Sequence, residues 1–224
     1  MQVLVLSHPE IAAEFKQKFT ADHQYVFIET YDELEKHLAQ TNVVFDFMLQ
    51  DQPDRLVHYA AKEDLVVFVS AVKMQLAELA LRVGKVACSL AGFNGLPTMV
   101  NRQYLEVSVL HAHAITRLEE TCKALETEYL VVEDRVGLVT PRIVCMIINE
   151  ACYTLQEGTA SVRDIDLGMK LGTNYPFGPF EWADKLGVKN VYETLQAVYH
   201  DTKDERYKIC PLLKTKYLKQ ETFA

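Results

Sequence analysis

The feature that most constrains this chain is a recurrence of short apolar runs through its first ninety residues. Runs rich in β-branched and aromatic residues occupy 2–7 (QVLVLS), 24–29 (QYVFIE), 43–49 (VVFDFML), 65–71 (LVVFVSA) and 85–91 (KVACSLA). Between them lie amphipathic stretches at about 10–18, 31–40, 52–61 and 74–83, the last placing Leu76, Leu79, Ala80 and Val83 on one face. Continuous apolar strands separated by helices predict a parallel sheet covered on both faces. Two more strands are expected at 105–110 and 128–132, flanking a helix at about 114–126.

After Asp134 the pattern changes. Thr140 is expected to cap a helix, with Pro141 in its first turn, that runs to Glu157 and ends at Gly158. Ser161 followed by Asp164 reads as a capping box opening a second helix, which should stop at Gly172. Tyr175 to Pro179 forms a rigid turn, Pro179 opens a helix closing at Gly187, and Asn190 is expected to cap another running to about His200. No strand pattern survives here. The expected fold is therefore α/β: a doubly wound, mainly parallel sheet over residues 1–134, then an all-helical domain over 135–224. All nine glycines lie at position 84 or beyond.

Composition removes whole classes of function. Residues 1–134 carry 20 acids and 11 bases, and residues 135–224 carry 11 acids and 12 bases, for a net −8. Phosphate contacts need clustered Lys and Arg, so nucleic acid is not an expected partner. No apolar run reaches the roughly 18–20 residues that span a bilayer, so no membrane role is expected. The opening MQVLVLSHPE has no basic region and reads as a strand rather than a signal peptide, which fits a cytoplasmic setting. The five cysteines form no C-x-x-C pair and read as reduced, buried thiols, not as a disulfide scaffold or zinc site.

The helical half carries a distinctive series: Asn149-Glu150-Ala151, Glu157-Gly158, Ala160-Ser161, Ile165-Asp166, Gly172 to Pro176, Gly178-Pro179-Phe180 and Asp184. In this order the series resembles the C-terminal domain of the 3-hydroxyacyl-CoA dehydrogenase family. Residues 66–80 are similar to a strand and helix of the same family, and Ala91 to Asn94 stand where it has H-F-F-N. The resemblance implies a Rossmann-type domain, shortened here, and a helical domain serving dimerisation or substrate. It also implies NAD-dependent oxidation of 3-hydroxyacyl-CoA in fatty-acid metabolism.

The residues that would do this chemistry are largely replaced. A glycine-rich turn lets a backbone approach pyrophosphate at a helix N-terminus. Here that turn reads Ser7-His8-Pro9-Glu10, with side chains at the close-approach positions and an acid among them. Glu29 ends the second strand, at the family's ribose-binding position or as an exposed strand-end carboxylate. The resemblance puts Ala91 in the place of the catalytic His and Pro141 in that of an Asn. Glu106 matches the Glu that orients the His, three residues further from Asn94 than in the family. Asn94 itself is retained, as a catalytic remnant or a turn cap. Losing a positioned general base costs roughly 10²–10⁴-fold in rate, and no side chain replaces a lost hydride acceptor. No bound cofactor is therefore expected. The expectation is a degenerate homologue, a homodimer through its helical domain that binds an acyl-CoA-like ligand or a partner. The competing expectation is an active dehydrogenase with unconventional cofactor contacts. His111 and His113 read as sheet-end histidines or as two metal ligands on one strand face, without a third nearby; no metal site is expected. Tyr199, Tyr207 and Tyr217 with Lys203, Arg206, Lys208, Lys214 and Lys216 could meet CoA phosphates or line a solvated face.

Overall fold

A computed structural model describes residues 1–224. The chain divides into two compact units, Met1–Leu138 and Val139–Ala224. No helix is long and apolar enough to cross a membrane.

The first unit is a Rossmann-like, seven-stranded, mainly parallel sheet. Its elements run β1 (Gln2–Leu6), α1 (Pro9–Lys18), β2 (Gln24–Ile28), α2 (Leu34–Leu38), β3 (Val43–Asp46), α3 (Val57–Ala60), β4 (Val66–Ser70) and α4 (Leu76–Val83). They continue as β5 (Ser89–Phe93), β6 (Tyr104–Val109), α5 (Ala114–Ala124) and β7 (Glu128–Val131). The strand order is β2-β1-β3-β4-β5-β6-β7. Only β5 and β6 pair antiparallel. The segment 94–103 between them is too short for the dozen or so residues of a parallel crossover, so the chain must turn back.

Strand alternation sorts the core into two layers. Leu4, Leu6, Val44, Val67, Val69 and Leu90 face α2, α3 and α4. Val3, Val5, Phe45, Phe68, Phe93 and Val107 face Phe15 of α1 and Leu118 of α5. In that second layer Phe45 stacks on Phe68 at 4.5 Å and meets Phe93 edge-on at 5.6 Å. Burying rings of this size contributes on the order of 2–3 kcal/mol each. Two expected strands are displaced. The third ends at Asp46 rather than Leu49, and the fifth spans 89–93 rather than 85–91, because Ala87 and Cys88 donate instead to the carbonyl of Ala60. The stretch 52–61 splits into a 3₁₀ turn, Pro53–Leu56, and the short α3.

The second unit is all helical: α6 (Thr140–Gln156), α7 (Val162–Thr173), α8 (Pro179–Leu186), α9 (Val188–Thr202) and α10 (Pro211–Lys219). Ser161 caps α7 as its spacing predicts, accepting from the backbone of Asp164 at 3.2 Å. Three expected boundaries move. Thr140 lies inside α6, with Val139 at its cap. α7 passes through Gly172 and stops at Asn174, whose φ of 56° is left-handed. Asn190 sits within α9, where its side chain donates to the Leu186 carbonyl at 2.9 Å rather than capping the helix.

Candidate functional site

In an open α/β sheet, ligands bind beyond the carboxyl ends of the strands where the strand order reverses. Here β2 lies on one side of β1 and β3 on the other, so that place is the exit of β1 and the head of α1. Ser7 is buried, His8 is the N-cap but makes no side-chain cap, Pro9 takes the first position, and Glu10 stands in the first turn. Pro9 withholds an N–H where an anion would need one, and Glu10 already complements the helix dipole. These residues do not fit a dinucleotide pyrophosphate. Glu29, just beyond β2, is exposed.

A feature the sequence reading passes over bridges the same crevice. Tyr31, after β2, and Tyr59, on α3, each donate to one carboxyl oxygen of Asp46 at 2.9 Å. The Met48 backbone donates to the other, also at 2.9 Å. Since β1 lies between β2 and β3, Tyr31 ties the two outer exits together across it. Asp46 has no exposed surface, and burial, against the four hydrogen bonds it accepts, pushes its carboxyl up to about 6. Burial and then the Asp46 charge push both tyrosines up. The one available signal was an acid inside the apolar run VVFDFML.

Further along the sheet the candidate catalytic residues separate. Ala91 is 2% exposed and belongs to the layer of Phe68, Phe93 and Val107. On β6, Leu105 and Val107 point into that same layer, so Glu106 between them points to the opposite face. A His at position 91 would thus enter an apolar core, with the sheet between it and Glu106. Asn94 and Glu106 do come together: the Asn94 N–H donates to the Glu106 carbonyl at 3.2 Å. The Asn94 side chain accepts from the Leu96 backbone at 3.5 Å, a turn-capping contact. Gly92 is required by space, since a Cβ there would sit 2.7 Å from Ser108 Oγ and 2.9 Å from the Ala71 Cβ. Glu14 of α1 holds the loop that follows, accepting from the backbones of Thr98, Val100 and Asn101 at 2.8–2.9 Å.

The remaining candidates have structural employment. His111 and His113 lie in the turn before α5, not on a strand; their exposed rings stack at 5.3 Å, and no third ligand joins them. All five cysteines are buried. Burial pushes the Cys122 and Cys152 thiols up to about 12. Pro141 is buried at the start of α6, and Arg142 reaches the Tyr207 hydroxyl at 3.2 Å. Tyr207 also stacks beneath Arg206, and Tyr217 stacks on Tyr192 at 4.0 Å. Tyr199 donates to Glu205 at 3.0 Å, and Lys216 pairs with Glu221. The basic, aromatic C-terminal surface is thus largely engaged with itself.

The helical motif residues act as remote caps. Asp166 accepts from Phe180 at 2.8 Å and Glu181 at 3.1 Å, closing the N-terminus of α8. Asn149 donates to the Lys208 carbonyl and accepts from Cys210, at 2.9 and 2.8 Å. Asp184 accepts from the backbones of Phe223 and Ala224, each at 2.9 Å. Residues 137–222 match the profile of the family described as 3-hydroxyacyl-CoA dehydrogenase, C-terminal domain. The helical unit is thus a C-terminal domain of the 3-hydroxyacyl-CoA dehydrogenase type.

Similar members of this dehydrogenase family include the 3-hydroxyadipyl-CoA dehydrogenase of Escherichia coli K12, 44% identical over 89 residues, which are 40% of this chain and 19% of that protein. The 3-hydroxybutyryl-CoA dehydrogenase of Bradyrhizobium diazoefficiens is 39% identical over 42% of this chain and 32% of its own length. The matches therefore span between a fifth and a third of these relatives. Likeness of fold extends further. M. tuberculosis FadB2 superposes with a TM-score of 0.75 over 100% of this chain and 97% of that one, at 15% identity. The (S)-3-hydroxybutyryl-CoA dehydrogenase PaaH1 of Ralstonia eutropha gives 0.71 over 98% and 94%, at 19% identity.

Proposed function

We propose that this chain is a degenerate member of the 3-hydroxyacyl-CoA dehydrogenase family that does not perform NAD-dependent oxidation, and that it acts as a homodimeric module binding an acyl-CoA-like ligand or a partner. The observation carrying this reading is the head of α1, where Pro9 and Glu10 oppose a pyrophosphate. The placement of Ala91 and Glu106 on opposite faces of the sheet supports it independently. Dimerisation is supported by α7, a twelve-residue helix without a single buried residue, on which Leu167 is 50% and Leu171 78% exposed. A helix this amphipathic gains stability chiefly by covering its apolar side. An apolar groove of about 340 Å³ between α6 and α7, lined by Ile147, Ala151, Ile165 and Met169, offers the complementary surface. Five buried cysteines outside any disulfide suit a reducing, cytoplasmic setting.

A melting-temperature screen over NAD, NADH and acyl-CoAs tests the ligand, because anything binding only the native state raises stability by RT ln(1 + [L]/Kd). Acyl-CoAs are expected to shift the melt and the nicotinamide cofactors are not. A micromolar dissociation constant for NAD, or turnover of 3-hydroxybutyryl-CoA followed by NADH absorbance, would overturn the reading. Light scattering should give a dimer; a mass near 26 kDa at micromolar concentration would remove that part of it.

A further inference from the structure

β7 is the last strand of the sheet, and no strand of the chain pairs with its outer edge. The Val132 N–H donates to the Val107 carbonyl at 2.8 Å, towards β6. Backbone groups alternate sides along a strand, so those of Leu130 also face β6 while those of Tyr129 and Val131 face outward. Leu130 is 54% and Val131 47% exposed, on opposite faces of the strand. The edge therefore presents free donors and acceptors with an apolar side chain on either face. Exposed edges are normally blunted by lysine, proline or a bulge. The sequence EYLV has neither residue, and its register with β6 is unbroken.

Charge decides what fits this edge. Glu126, Glu128 and Glu133 bracket the strand, against Lys123 and Arg135 nearby in sequence. A second copy of the same edge would set glutamates against glutamates, which disfavours self-pairing. We infer that β7 is a docking edge for an extended, basic polypeptide segment, which adds an eighth strand through the backbone groups of Tyr129 and Val131 and sets lysine or arginine side chains against the three glutamates. Recognition of this kind draws affinity from main-chain hydrogen bonds and specificity from alternate side chains. It is independent of the dimer proposed for the helical unit.

The test uses the full chain and a fluorescein-labelled heptapeptide of alternating lysine and valine, read by fluorescence anisotropy. Binding should saturate, and it should weaken by about tenfold or more when the peptide is N-methylated at alternate residues, since the added hydrogen bonds are then lost. Val131→Pro removes an outward N–H without cutting the ladder to β6, and should weaken binding to a similar degree while leaving the melting temperature nearly unchanged. If that variant fails to fold, the N-methylated peptide and the double charge reversal Glu126→Lys with Glu133→Lys carry the test; the reversal should weaken the lysine peptide and favour its glutamate–valine counterpart. Equal binding of the N-methylated peptide would reduce the effect to charge alone and overturn the inference. So would equal binding of the glutamate–valine peptide to the native chain. Absence of peptide binding, with self-association abolished by Val131→Pro, would assign the edge to a second copy instead.

Discussion

Asp46 shows how one residue can set the pH response of a whole domain. Its carboxyl goes from an ordinary value of 3.8 in the unfolded chain to about 6 in the fold. The native state therefore holds a proton that the unfolded chain has released, and stability from this group falls as pH rises between those values. Above pH 6 the cost levels off at roughly 3 kcal/mol. Asp46→Asn cannot ionise, so the wild-type advantage over the variant should decline by about that amount from pH 4 to 6 and then stay constant. Urea midpoints at several pH values measure it, and a difference that does not change with pH would show that Asp46 titrates normally. Ala91 supplies a second case. Ala91→His should produce no NADH from 3-hydroxybutyryl-CoA and should lower the melting temperature, because the imidazole enters the Phe68–Phe93 layer rather than meeting Glu106. A stable, active variant would refute the assignment of these two residues to opposite faces. Neither case was legible from residue type alone: the resemblance supplies the pairing of 91 with 106, but only strand register decides which face each one sees.

Helices and strands here were legible in proportion to how local their causes are. The Ser161–Asp164 cap and the proline-opened α8 follow from residues three or fewer apart, and both form as read. Asn190 and Thr140 look like caps by the same rule and are not, because the caps of those helices fall three residues earlier, at Gly187, and one residue earlier, at Val139. The caps that matter most are remote. Asp166 lies 14 residues before Phe180, whose N–H it receives, and no local pattern announces that. Removing it as Asp166→Ala should cost about 1–2 kcal/mol and several degrees of melting temperature. Gly178→Ala should be destabilising too, since its new Cβ would run into the Asp166 carboxyl. The double variant should then be less unstable than the sum of the singles; strict additivity would mean that the two residues do not act on each other. At the same scale, Leu171→Lys puts a charge on the uncovered side of α7 and should convert the proposed dimer to monomer in sedimentation. A dimer unaffected by that charge would have to use another surface.

Across the whole molecule, strand–helix alternation was enough to read a mainly parallel sheet followed by helices, because burial on both faces imposes a pattern on every strand. Where the sheet unit ends is a different matter, since it depends on ties between distant residues. Asp134 reaches back to the head of α4, its carboxyl accepting from Leu76 at 2.8 Å and Ala77 at 3.1 Å, and the Gly137 N–H donates to the Val72 carbonyl at 2.7 Å. These contacts decide where the polypeptide can be cut. A fragment stopping at Val132 would leave α4 uncapped and Val72 without its donor, whereas one running through Leu138 keeps both. Anyone separating the halves for spectroscopy, or grafting another helical half onto this sheet, should place the junction after Leu138.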